Sequence, residues 1–135
     1  MKPISNVLSP VTGKKRVFVF SPDADLARSL SMLLEGHFEI VCETRIEALG
    51  QRIVSASPAL LLIDLFAFPK DIFRVLHILR GWDRRIPTIV LHVYQRRNPE
   101  VERAIWSAAD LVLYKPLDVD EIGRSITSIL GRPRS

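Results

Sequence analysis

Ala59-Leu60-Leu61-Leu62-Ile63-Asp64 is the most apolar stretch of the chain, opened by the chain-breaking Pro58 and closed by a charge. A continuous apolar run this short suits a β-strand covered on both faces, as in a parallel sheet, rather than a helix. Working outward from it, similar runs recur. Arg16-Val17-Phe18-Val19-Phe20 is stopped by Ser21-Pro22, and Phe38 to Cys42 is a weaker strand. Pro87 introduces Thr88-Ile89-Val90-Leu91, and Leu111 to Tyr114 runs into Lys115-Pro116.

Between these strands, apolar residues recur at helical spacing. Asp23 or Asp25 opens a helix with Leu26, Leu30, Leu33 and Leu34 on its inner face and Gly36 at its end. Thr44 is the expected N-cap of a helix carrying Ile46, Leu49 and Ile53. Ile72, Val75, Leu76 and Leu79 continue the spacing until Gly81. Asn98 and Pro99 suit the cap and first turn of a helix with Val101, Ile105 and Ala108 inward. Asp118 caps the last one, with Val119, Ile122, Ile126 and Ile129 inward and Gly131 at its end. Strands and helices thus alternate, and short connections with right-handed crossovers predict a five-stranded parallel α/β sheet with helices on both faces.

The length of 135 residues suits one domain, since domains commonly run ~100–150 residues. Residues 1–13, which carry Pro3, Ser5, Asn6, Ser9, Pro10 and Gly13 with little periodicity, are expected to be a mobile N-terminal arm, 14–131 the domain, and 132–135 a basic tail. No apolar run approaches the ~18–20 residues of a membrane span, and Met1 to Pro10 lack the pattern of a secretion signal. A cytoplasmic protein without membrane contact is expected. Cys42 is the only cysteine, which excludes an intrachain disulfide and a cysteine metal cluster, and it is expected to be a core thiol. The net charge of +4 gathers at Lys14-Lys15-Arg16, Arg84-Arg85, Arg96-Arg97, Arg132 and Arg134. No aromatic residues interleave with these clusters as a single-strand nucleic-acid platform requires, so they read first as solvated loops and strand flanks.

In an open parallel sheet, functional residues gather beyond the carboxyl ends of the strands, where the strand order reverses. Those ends carry Ser21, Pro22 and Asp23, then Asp64, then His92, then Lys115. Ending a buried strand on Asp64 costs energy unless a partner meets the charge, and Lys115 lies at a matching position. A salt bridge that only ties the loops together is one reading of the pair.

Val17 to Phe20 followed by an acidic loop, Leu61-Leu62-Ile63-Asp64, Pro87 to Leu91, and Tyr114-Lys115-Pro116 together resemble the framework of response-regulator receiver domains over about residues 15–131. The resemblance implies a flavodoxin-like (βα)5 fold with strand order 2-1-3-4-5. It implies Asp64 as phosphoacceptor, Lys115 as the phosphoryl contact, and a Mg²⁺ ion held beside Asp64. The family places two adjacent acidic residues after the first strand; Ser21 and Pro22 stand there, leaving Asp23, one residue late, as the second candidate ligand. Of the two switch positions, the hydroxyl site on the fourth strand holds His92, expected to be a loop or rim histidine. The aromatic site on the fifth falls on Val112, with Tyr114 expected on the opposite face. Pro69 comes one residue late, and Phe66 and Phe68 are either core plugs or a contact site.

The expected function is therefore a receiver-like signalling module of two-component type, atypical in its phosphorylation site and acting through protein contacts. An active single-domain response regulator phosphorylated on Asp64 by a histidine kinase is the alternative. A ligand- or nucleic-acid-binding module using the basic loops ranks last. No P-loop, dinucleotide glycine pattern or Ser-His-Asp spacing is present, so no enzyme activity beyond self-phosphorylation is expected. Partners implied by the resemblance are a histidine kinase, an output protein or a second copy, meeting a face that includes Arg103, Trp106, Asp118, Asp120 and Arg124. Trp106 is the candidate interface anchor.

Overall fold

The computed structural model describes residues 14–65, 69–81, 86–93, 98–116 and 118–131. The expected arm and tail, Phe66, Phe68, Arg84, Arg85, Arg96 and Arg97 lie outside the described residues. Along the chain come β1 (Arg16–Phe20), α1 (Ala24–Leu34), β2 (Glu39–Glu43), α2 (Ile46–Ala56), β3 (Leu60–Leu65), α3 (Pro69–Arg80), β4 (Thr88–His92), α4 (Pro99–Ala108), β5 (Leu111–Tyr114) and α5 (Val119–Leu130). Every strand pairing is parallel, and the sheet order is β2-β1-β3-β4-β5. This is the order the resemblance implies.

Period-two alternation divides the core into two layers. Phe18, Phe20, Leu61, Ile63, Val90 and Val112 face one side, where Leu49 and Ile53 of α2, Ile72, Val75 and Leu76 of α3, and Val101 and Ile105 of α4 cover them. Val17, Val19, Leu60, Leu62, Ile89 and Leu91 face the other, under Leu30 and Leu34 of α1 and Ile122 and Ile126 of α5. All six residues of β3 are buried, which is why its sequence lacks alternation. Each fully buried Leu or Ile there is worth about 1.5–3 kcal/mol of transfer free energy.

Caps follow the sequence at three helices. Asp23 accepts from the Asp25 and Leu26 amides at 3.0 and 3.2 Å, Asn98 from Val101 at 3.4 Å, and Asp118 from Asp120 at 3.1 Å. At α2 the expectation fails. The N-cap is Arg45, without a side-chain cap bond, and the Glu43 carboxylate takes the Thr44 and Arg45 amides at 3.0 and 2.8 Å instead. Glu43 also holds Arg52 at 3.3 Å, so one carboxylate braces the turn between β2 and α2 while the first amides of the helix have no side-chain cap.

Four more expectations need correction. Leu33 is 53% exposed, because Ala27, Leu30 and Leu34 complete the inner face of α1 and leave Leu33 on its flank. Asp64 is not the last residue of its strand. Leu65 follows it and pairs with His92. His92 is no rim residue: β4 extends through it, and it is 1% exposed. Tyr114 shares a face with Val112, packing against the same core layer, as a separation of two residues along a strand requires.

Candidate functional site

The sheet order reverses between β1 and β3, and the carboxyl ends of β1, β3 and β5 bring Ser21, Asp64 and Lys115 together. Ser21 is held in place by its amide, which donates to the Glu43 carbonyl at 3.1 Å beyond the end of β1. Lys115 is held by its amide, which donates to the His92 carbonyl at 2.8 Å, past the end of β5. The Lys115–Pro116 peptide is cis.

Asp64 is fully buried. A carboxylate in that position needs a countercharge or hydrogen bonds on both oxygens. The Lys115 ammonium contacts Oδ1, and its side chain is 22% exposed at the rim. Apart from that ammonium, Oδ1 has no partner among the described residues. Ser21 Oγ, itself buried, donates to Oδ2 at 2.6 Å, within the short range of a hydroxyl bonded to an ionised carboxylate. The same hydroxyl oxygen accepts the Asp23 amide at 3.1 Å. Both carboxylate oxygens are therefore occupied by this chain's own groups.

Asp23 is exposed and its carboxylate is committed to the α1 cap. Turning it toward a cation would forfeit both amide bonds. Pro22 lies exposed between Ser21 and Asp23 and offers neither a carboxylate nor an amide proton. Among the described residues no three His, Cys, Asp or Glu side chains form a group that could hold a metal ion. A Mg²⁺ ion favours near-octahedral oxygen ligands that include carboxylates. The donor set here, one carboxylate already bonded on both oxygens beside an ammonium, does not fit it.

The switch positions also carry different chemistry. His92 Nε2 lies 2.8 Å from Glu102 Oε2, and the Tyr114 hydroxyl donates to Glu102 Oε1 at 3.2 Å. Trp106 Nε1 donates to the Tyr114 hydroxyl at 2.8 Å. Trp106 is half exposed on α4. Arg103 of α4 and Asp118, Asp120 and Arg124 around α5 are exposed as well, while Val112 is buried in the sheet. Glu102 was not singled out from the sequence. It follows an inward Val101 on the flank of α4, and nothing in its spacing from His92 announces the pairing. Cys42 is half-buried, and burial pushes its thiol up, as expected of a structural rather than reactive cysteine.

No family model and no curated protein matches this chain. Among solved structures, the chain is similar to the receiver domain of the Francisella response regulator 1452, at 20% identity and TM-score 0.73, over 90% of this chain and 100% of that one. It is similar to a two-component response regulator from Clostridium difficile, at 17% identity and TM-score 0.70, over 90% of this chain and 100% of that one. The signal receiver domain of a signal transduction histidine kinase from Syntrophus aciditrophicus matches at 19% identity and TM-score 0.73, over 90% of this chain and 96% of that one. These likenesses show that the chain has the fold of receiver domains.

Proposed function

We propose that this chain is a receiver-type signalling module that works through protein contacts, with its aspartate pocket held closed by its own side chains rather than cycled through Mg²⁺-dependent phosphorylation. The observation that carries the reading is the 2.6 Å bond from Ser21 Oγ to Asp64 Oδ2. A hydroxyl there fills, with a single proton, the place where the receiver resemblance calls for a carboxylate ligand. Nucleophilic attack by Asp64 on a phosphoryl group would require an accessible oxygen and a cation to screen the incoming charge. The buried oxygen bonded to Ser21 offers neither.

Partners in this reading are a histidine kinase, an output protein or a second copy, recognised by the α4–β5–α5 face with Trp106 as an aromatic anchor among Arg103 and Arg124. Among the described residues no helix is long and apolar enough to cross a membrane. Incubation with acetyl phosphate and Mg²⁺, followed by intact-mass analysis, tests the reading. The expected result is an unmodified chain, and rapid stoichiometric addition of one phosphoryl group at Asp64 would overturn it.

The retained Asp64–Lys115 pair favours a second reading, an active single-domain regulator in which Asp23 leaves its cap to join a metal site. That reading requires Asp23→Ala to abolish phosphorylation. An Asp23→Ala protein that takes up phosphoryl groups as well as the parent removes its basis.

A further inference from the structure

The hydrogen-bonded chain at His92 has a direction set by donor chemistry. An indole N–H only donates, so the Tyr114 oxygen accepts from Trp106. The Tyr114 proton then goes to Glu102 Oε1, and the other Glu102 oxygen receives Nε2–H of His92. A neutral imidazole carries one ring proton, and Nε2 uses it, so Nδ1 presents a lone pair. That nitrogen is buried and has no hydrogen-bond partner among the described residues. An unpaired acceptor is tolerated in such a place better than an unpaired N–H.

We propose that His92, Glu102, Tyr114 and Trp106 form a proton-operated latch. With His92 neutral the latch holds the Trp106 indole against Tyr114 on the outer face of α4 and β5; proton uptake at Nδ1 releases it. The proton comes from solvent and adds to the Nδ1 lone pair, giving an imidazolium with a second N–H and no acceptor among the described residues. The ring then has to turn, or its surroundings have to admit water. Turning the ring takes Nε2 away from Glu102 and removes one of the bonds that hold the carboxylate against Tyr114. The charge-assisted bond from Nε2 to Glu102 opposes the turn, while the cost of a buried, unpaired Nδ1–H drives it. Imidazole is the side chain suited to such a device between pH 5 and 8.

Among the described residues, the elements packed near the ring carry the following charged and titratable groups. On β3, whose Leu65 pairs with His92, Asp64 is bonded to Ser21 and Lys115. The β5 segment contributes Tyr114, whose ring centroid lies 6.2 Å from that of His92, and Lys115 just beyond it. Glu102 comes from α4, where Arg103 is exposed. The helix α3, which packs on α4, carries exposed Lys70, Arg74, His77 and Arg80, with Arg74 paired to Asp71 at 3.9 Å. Among the described residues, Glu102 is the carboxylate in hydrogen-bond contact with the His92 ring. The latch stands on these bonds and does not depend on the signalling reading.

The test is NMR of the full chain between pH 8 and pH 5, following the His92 ring nitrogens and the Trp106 Nε1–H together. The expected result is an upfield shift and loss by solvent exchange of the Trp106 signal, with the same midpoint as His92 and a different course from exposed His37 and His77. Emission from Trp106 in a Trp82→Phe background should shift over the same interval, and His92→Asn should remove the transition. A Trp106 signal that stays fixed while His92 titrates would overturn the latch. So would a His92 ring that stays neutral throughout, or a Trp106 transition that follows another group's midpoint. The two-resonance comparison on the parent chain decides the matter even where His92→Asn fails to fold.

Discussion

Ser21 has two jobs, both done by one hydroxyl: its O–H donates to Asp64 and its oxygen accepts the Asp23 amide N–H. Ser21→Ala leaves a fully buried carboxylate oxygen without its donor. Denaturant unfolding should show a loss of about 1–3 kcal/mol, the usual cost of an unsatisfied buried polar group. Lys115 holds the other oxygen, and Lys115→Met should cost about 3–5 kcal/mol because a buried charge is left unpaired. The partial exposure of Lys115 places the effect toward the lower end. Adding Asp64→Asn to Lys115→Met should restore most of that loss, since the amide carries no charge. A double variant no more stable than Lys115→Met would mean that the pair is not what neutralises Asp64. Cys42 offers a third check. With its thiol pushed up by burial, the thiolate fraction is small, so the folded chain should react with a thiol reagent at neutral pH far more slowly than the unfolded chain does.

At the scale of elements, much was legible because periodicity and caps are local. The continuous apolar run of 59–63 identified a strand buried on both faces, and Asn98-Pro99 and Asp118 marked helix starts that the structure keeps. Where the chain uses a long-range or non-standard partner, local signals failed. Thr44 looked like a cap, yet Arg45 holds that position without a side-chain cap bond, and Glu43 braces the turn before the helix. His92 looked like a rim residue, yet Glu102 meets it from α4 and lets β4 carry a polar ring into the interior. Ten residues of sequence separate the two, and no spacing rule pairs them. Glu43→Ala should therefore loosen the turn between β2 and α2 and lower stability by about 1 kcal/mol, the typical net worth of a hydrogen bond, whereas Thr44→Ala should change little. Equal losses from the two substitutions would mean that Thr44 supports the helix start as much as Glu43 supports the turn.

Across the whole molecule, the two-layer core and the sheet order are those of receiver domains, while the rim at the strand ends departs from that pattern in its donor set. The scaffold was readable because five apolar strands at regular intervals leave few ways to bury both faces. Asp64 and Lys115 were readable because strand ends are where charges converge in such sheets. The bond from Ser21 to Asp64 was not, since a serine after a strand carries no local signal and gains its meaning only from a carboxylate 43 residues away. If Ser21 and Pro22 are what keep a divalent cation out, Ser21→Asp with Pro22→Asp should acquire a saturable Mg²⁺ response that the parent lacks. A double variant as indifferent to Mg²⁺ as the parent would place the obstacle elsewhere in the pocket.

The most direct measurement of the central claim is amide NMR of the parent chain during titration with beryllofluoride and Mg²⁺, which together mimic a phosphoryl group on a receiver aspartate. A closed pocket predicts no saturable shifts at Asp64, Lys115 or His92 from a protein that remains folded. Saturable shifts at those residues requiring both reagents would contradict the account and establish a working phosphorylation site.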